Sequence, residues 1–210
     1  MSFSSVSIVG AGPAGIGIAI ACAAEGLPVS LARGARTTVL DAVRTRIERR
    51  LALCVTLGVI QETDRDAIAS RIEVIADASR APDADLVIDA MECDPRSRRA
   101  VLATLESRLS SGAVLATGCD GARLSEIAEV VRRPDQLVGM RFALPVTRSP
   151  HVDLAFLPET APGVIAACRA FVATLRKTPS ERSSVPPRIG YREWLSAPPI
   201  VPPIAPLAAE

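Results

Sequence analysis

The chain has 210 residues, 49% of them apolar, which is ample for one folded core and makes two small domains the limit. Its 24 basic and 23 acidic side chains nearly cancel, leaving no electrostatic case for a nucleic-acid or polyanion partner. Five scattered cysteines (Cys22, Cys54, Cys93, Cys119, Cys168) without a C-x-x-C pair exclude a disulfide or zinc framework, so no metal is expected. No charged leader precedes an apolar stretch, and no uncharged run is long enough to span a bilayer, so a cytoplasmic setting is expected. Aromatics are only 3%, so the core must be built from Ala, Val, Ile and Leu. One basic residue is lysine, Lys177, and the rest are arginine, as a GC-rich genome would encode.

Ser5–Gly10 is an apolar run ending in glycine and reads as a buried strand. Gly12–Glu25 reads as a helix and Leu27–Ala32 as a second strand. Thr37–Leu57 carries Val39, Val43, Ile47, Leu51 and Val55 at helical spacing, and Gln61–Arg71 continues as another helix. Strands follow at Ile72–Ala76 and Asp85–Ala90, then a helix at Arg96–Leu109. Val114–Thr117 and Leu137–Phe142 are strands flanking a short helix, Leu124–Val130. Val152–Leu157 and Ala161–Arg176 are the last strand and helix. Such alternation predicts an α/β fold with a parallel sheet, helices on both faces, and a ligand site at the carboxyl edge.

After Lys177 the pattern stops. Eight of the 17 prolines fall from Pro179 onward, which divides the chain into a domain, 1–178, and a proline-rich tail, 179–210. A disordered or polyproline tail is one reading. The other rests on Tyr191 and Trp194, the only Tyr and Trp, which suit docking to a groove on this domain or on a partner.

Gly10-Ala11-Gly12-Pro13-Ala14-Gly15 is G-x-G-x-x-G, placed after a strand and opening a helix. The first glycine allows a tight turn, the second lets backbone approach a pyrophosphate, and the third lets helix pack on strand. The helix N-terminus adds amide donors. The alternative is a coincidental turn. Ala90, closing the fourth strand, is placed with Gly10, Gly12, Pro13, Ala14 and Gly15 in the cofactor-binding set. Where NAD-binding proteins usually carry an acid for the ribose hydroxyls, this chain has Arg33, with Arg36 close behind. Arginine there pairs with a 2′-phosphate, favouring NADP over NAD, or is a surface residue beside an altered site.

From about Val6 to Pro179 the order of segments resembles the N-terminal, NAD-binding domain of the 3-hydroxyacyl-CoA dehydrogenase family. The carriers are the run from Val6 to Ala19, the helix pair from Thr37 to Arg71, Ala84-Asp-Leu-Val-Ile-Asp-Ala90, Gly112–Thr117, Arg133–Phe142 and Leu175-Arg-Lys-Thr-Pro179. The resemblance implies a Rossmann-like, mainly parallel fold and oxidation of a 3-hydroxyacyl-CoA with NAD. It also implies that the paired helices lie near the CoA, so the expected substrate is a small molecule, an acyl thioester of CoA or a carrier protein. No segment of these 210 residues resembles the family's helical second domain, used for dimerisation, and the tail is expected to serve a homodimer or a partner protein.

The departures fall at the chemistry. The family's general-base histidine in G-[LM]-H-F-F-N-P aligns with Arg141, and its asparagine with Leu144. The glutamate that orients the histidine aligns with Asp153. The serine-rich stretch is Thr117-Gly118-Cys119-Asp120-Gly121, and the acid beyond the fourth strand is Cys93, beside Glu92. Arg141 cannot be a base at neutral pH; it can bind an anion or polarise a carbonyl. His151, the only histidine, lies two residues before Asp153, on the same face of a strand. It is either a structural or exposed histidine or half of a relocated acid/base couple with Asp153. Cys119 and Asp120 are candidates for nucleophile and acid, against the commoner small buried cysteine. Three functions remain open: a divergent NAD(P)-dependent dehydrogenase or reductase acting on a thioester or an imine or keto metabolite; a non-redox homologue serving as a binding or partner subunit; and a flavin-binding protein.

Overall fold

Short strands of Val, Ile, Leu and Ala are buried on both faces only if helices cover both. That arrangement is found in the computed structural model, which describes residues 2–32, 40–78, 83–118 and 121–180. The order is β1 (Val6–Val9), α1 (Pro13–Ala24), β2 (Val29–Ala32), α2 (Leu40–Thr56), α3 (Arg65–Ser70), β3 (Ile72–Ile75), β4 (Leu86–Asp89), α4 (Pro95–Glu106), β5 (Val114–Thr117), α5 (Gly121–Ala128), β6 (Leu137–Phe142), β7 (His151–Phe156), α6 (Pro162–Thr174) and β8 (Thr178–Ser180).

Among the described residues the sheet has eight strands in the order β3-β2-β1-β4-β5-β6-β7-β8. β1 to β6 are parallel. The chain leaves β1 toward one side through β2 and β3, then returns to β4 on the other. β1 and β4 therefore flank the topological switch point, where open α/β sheets bind ligands.

Alternation along the strands divides the core in two. Ile8, Ile88, Ala116, Val138, Met140, Val152 and Leu154 face the side of α1, α2, α3 and α6. Val9, Val87, Leu115 and Leu137 face the side of α4 and α5. α1 is apolar nearly all round, as its burial between sheet and neighbouring helices requires. Its start is set by Pro13 at the first helical position. α4 starts at Asp94, whose carboxylate accepts from the Ser97 amide at 3.0 Å.

The sheet is mainly parallel, as expected, with β7 running antiparallel to β6. The structure departs from the sequence reading in three places. The segment Gln61–Arg71 is a 3-10 turn, Glu62–Asp64, followed by α3. α5 begins at Gly121, three residues earlier than its apolar spacing indicates. The pattern also continues past Lys177: β8 pairs with β7 in parallel, so the proline-rich segment begins inside the sheet. Pro179 is tolerated because β8 is an edge strand. The Thr178 amide faces β7 and donates to the Pro150 carbonyl at 2.6 Å, so the next residue points the other way. Tyr191 and Trp194 lie outside the described residues. Among the described residues, no helix is long and apolar enough to cross a membrane.

Candidate functional site

The carboxyl ends of β1, β4, β5 and β6 share one edge, and antiparallel β7 begins there. The glycine turn sits at that edge with a geometry only glycine permits. Gly10 has φ +118°, and a Cβ on it would lie 2.6 Å from the Ala90 carbonyl carbon. A Cβ on Gly15 would lie 1.7 Å from the Gly10 carbonyl oxygen. Helix α1 is thus pressed directly onto the end of β1. A Cβ on Gly12, by contrast, would meet nothing within 4 Å. Gly12 is the N-cap of α1, with extended backbone and no side-chain cap. The amides of Ala14 and Gly15 have no intrahelical acceptor by helix geometry, and Pro13 has no amide. Donors, positive dipole end and open space coincide, which fits a pyrophosphate. Ala90 closes the cradle from β4, its amide donating to the Val9 carbonyl at 2.8 Å. Arg33 and Arg36 lie outside the described residues, as do Cys119 and Asp120.

On the α4/α5 face the strand ends change from apolar to polar. Asp89 follows Val87, Thr117 follows Leu115, and Asp153 and Arg141 stand opposite each other across the antiparallel pair. Arg141 Nη2 lies 3.6 Å from Asp153 Oδ2, with the arginine side chain 30% exposed and the aspartate 12%. His151 is exposed, two residues nearer the edge on the same face of β7. The structure therefore brings Arg141, Asp153 and His151 together, and it pairs Asp153 with the arginine. Leu144, just beyond β6, is a large apolar side chain left 38% exposed.

Sequence reasoning missed the buried part of this row. The Asp89 carboxylate accepts from the Met91 amide at 2.9 Å and from the Thr117 hydroxyl at 2.8 Å. Arg98 Nε lies 3.3 Å from Asp89 Oδ2, the oxygen that also accepts from Thr117, and Arg98 donates as well to the Met91 carbonyl. Burial raises the Asp89 carboxyl above its ordinary value, against the pull of Arg98 and the two hydrogen bonds. The available signal was an acid closing the apolar run Leu86-Val-Ile-Asp89. The network fixes the turn that carries Ala90, one wall of the glycine cradle.

The model of the 3-hydroxyacyl-CoA dehydrogenase NAD binding domain matches residues 5–183. The chain belongs to this family. The fatty acid oxidation complex subunit alpha of Psychrobacter cryohalolentis is 28% identical over 176 residues, covering 84% of this chain and 24% of that protein. The chain thus spans about a quarter of that curated relative's length. The (S)-3-hydroxybutyryl-CoA dehydrogenase PaaH1 of Ralstonia eutropha is 26% identical with a TM-score of 0.78, over 85% of this chain and 62% of that one. FadB2 of M. tuberculosis is 27% identical with a TM-score of 0.81, over 90% and 67%. In this 3-hydroxyacyl-CoA dehydrogenase-family domain, the Rossmann-like fold and the glycine cradle agree.

Two outcomes check this geometry. Gly15→Ala should cost about 3 kcal/mol or more in urea unfolding, because the clash is with backbone. Gly12→Ala should stay within about 0.5 kcal/mol of the parent. For Asp89, a carboxyl raised in the folded state binds more protons folded than unfolded through the window above its ordinary value. The stability of the parent relative to Asp89→Asn should therefore be greatest at low pH and fall as pH rises through that window. A rise instead would mean that attraction to Arg98 outweighs burial.

Proposed function

We infer that this domain is the nucleotide-binding part of an NAD(P)-dependent dehydrogenase or reductase acting on a small carbonyl or hydroxyl compound. The preferred substrate class is an acyl thioester of CoA or a carrier protein, with an imine or keto metabolite next. The observation that carries this reading is the cradle: Gly10 and Gly15 interlocked, with Gly12 open above unpaired helix amides. The relatives named as 3-hydroxybutyryl-CoA dehydrogenase and fatty acid oxidation complex support the thioester.

Gly12, Pro13, Ala14 and Gly15 would hold the pyrophosphate, with Gly10 and Ala90 shaping the turn beneath it. The nicotinamide ring of the bound cofactor supplies hydride transfer. A guanidinium is a donor and not a base, so Arg141 polarises a carbonyl oxygen rather than removing a proton. Asp153 holds the guanidinium in place from the opposite strand. His151, exposed on the same face, is the group able to deliver or accept the proton. Arg33 and Arg36 favour NADP over NAD.

A second reading has its own support in the same pair. A guanidinium cannot replace the family's histidine as a base, so a non-redox homologue would serve as a binding or partner subunit. Tyr191 and Trp194 would be its docking residues, for a second copy or another protein.

Titration of NADPH, NADH and flavin, followed by Trp194 fluorescence or thermal shift, tests the first reading. Nicotinamide binding that weakens about tenfold or more in Gly12→Val is expected, as is loss of NADPH preference in Arg33→Ala. No nucleotide binding at millimolar concentration rejects it. With a 3-ketoacyl thioester, Arg141→Met should lower kcat/KM by about 100-fold, the scale of losing one oxyanion donor, at unchanged nucleotide affinity. His151→Ala and Asp153→Ala should each lower turnover. Binding without turnover in the parent would favour the second reading.

A further inference from the structure

Lys177 is the single lysine of the chain, and it is buried, with 7% exposure. A buried ammonium is tolerated only with acceptors around it. Lys177 Nζ donates to the Val146 carbonyl at 2.6 Å and to the Ser149 carbonyl at 2.7 Å. Both carbonyls belong to the 143–150 arc that joins β6 to β7. The arc also rests on α1, where a Cβ on Gly17 would lie 2.9 Å from Val146 Cβ.

The lysine is delivered to this point by the end of α6. Its amide donates to the Val172 carbonyl at 3.1 Å and the Arg176 amide to the Ala173 carbonyl at 2.9 Å, with Arg176 at φ 55°. This is the Schellman reversal, here built without glycine. Arg176 Nε pairs with Glu25 at 3.0 Å, which ties the reversal to the end of α1. Two helices thus fix the base of Lys177, and its tip fixes an arc that starts two residues after Arg141 and ends at His151.

We propose that Lys177 is a positioning residue: by bonding the Val146 and Ser149 carbonyls it sets the arc between β6 and β7, and so the placement of Arg141, Asp153 and His151. This rests on the reading of that edge as the reacting edge, and it extends the machinery to a residue on the far side of the sheet from Asp153. The ammonium can do this while charged and presenting three donors. Burial pushes its pKa down to about 8. The group facing it is Cys22 of α1, whose thiol burial pushes up to about 12 and therefore keeps neutral, and the Arg176–Glu25 pair stands next to it along the chain. His151 and Asp153 follow on β7.

The test is hydrogen exchange of the full chain carrying Lys177→Met. Exchange of amides 143–151 should rise about tenfold or more while amides of β1, β4 and β5 stay within about twofold, and the resonance of the sole imidazole, His151, should shift. Unchanged exchange in the arc, or an equal rise in every strand, overturns the proposal. If Lys177→Met does not fold, the parent serves. Its single lysine ε-carbon signal should titrate well below the ordinary 10.5, with arc exchange, corrected for intrinsic base catalysis, rising through the same pH. A midpoint at the ordinary value, or arc exchange indifferent to it, overturns the proposal. Nucleotide affinity in the same variant separates the two readings: it should stay within about twofold, because the glycine cradle is untouched.

Discussion

The contact between the Gly10 carbonyl and the α carbon of Gly15 governs much of what surrounds it. No side chain fits between them, so α1 leaves β1 along a single path. That path sets how far α1 lies from the sheet, and hence where Gly17 meets Val146 in the β6–β7 arc. It also sets the height of the open helix N-terminus above the edge. A small-residue helix is the natural consequence: the Gly-Ile-Gly-Ile-Ala run of α1 would pack poorly if larger side chains held it away.

A second constraint is electrostatic. At its edge the α4/α5 face carries two carboxylates, Asp89 and Asp153, each beside an arginine. Asp89 is surrounded by Thr117, Met91 and Arg98, while Asp153 meets Arg141. The two carboxylates differ in kind. Asp89 has no room for a ligand and acts through the loop it holds. Asp153 lies under an arginine that reaches solvent, so its effect passes outward to whatever the arginine meets. A buried carboxylate wholly engaged by its own neighbours is a structural fixture. A half-exposed guanidinium held on one side only is free to take a second anion or a carbonyl on the other.

Most strands and helices were legible because burial leaves a periodic trace. Val114–Thr117 and Leu137–Phe142 coincide with β5 and β6 to the residue, since both are central strands bounded by glycine or by polar turns. The glycine turn was legible for a related reason: steric necessity writes itself as residue type. β8 was not legible, because a three-residue strand at an edge has no period and contains a proline. The antiparallel direction of β7 was hidden as well, since apolar spacing carries no sign of chain direction. The Asp89 network escaped notice because Arg98 and Thr117 are brought to it by tertiary structure alone. Lys177 was conspicuous only as the sole lysine; its burial follows from a reversal that lacks the usual glycine.

Among the described residues β8 is the last strand of the sheet, and it limits how the sheet can grow on that side. Thr178 spends its amide on Pro150, and the next outward position belongs to Pro179, which has none. An incoming strand would find no donor at the centre of that edge. Strand addition, the cheapest route by which sheets recruit other chains or aggregate, is therefore closed on this side. Any partner that approaches the β8 side must be recognised through side chains, which makes its selection a matter of shape and charge rather than of backbone complementarity.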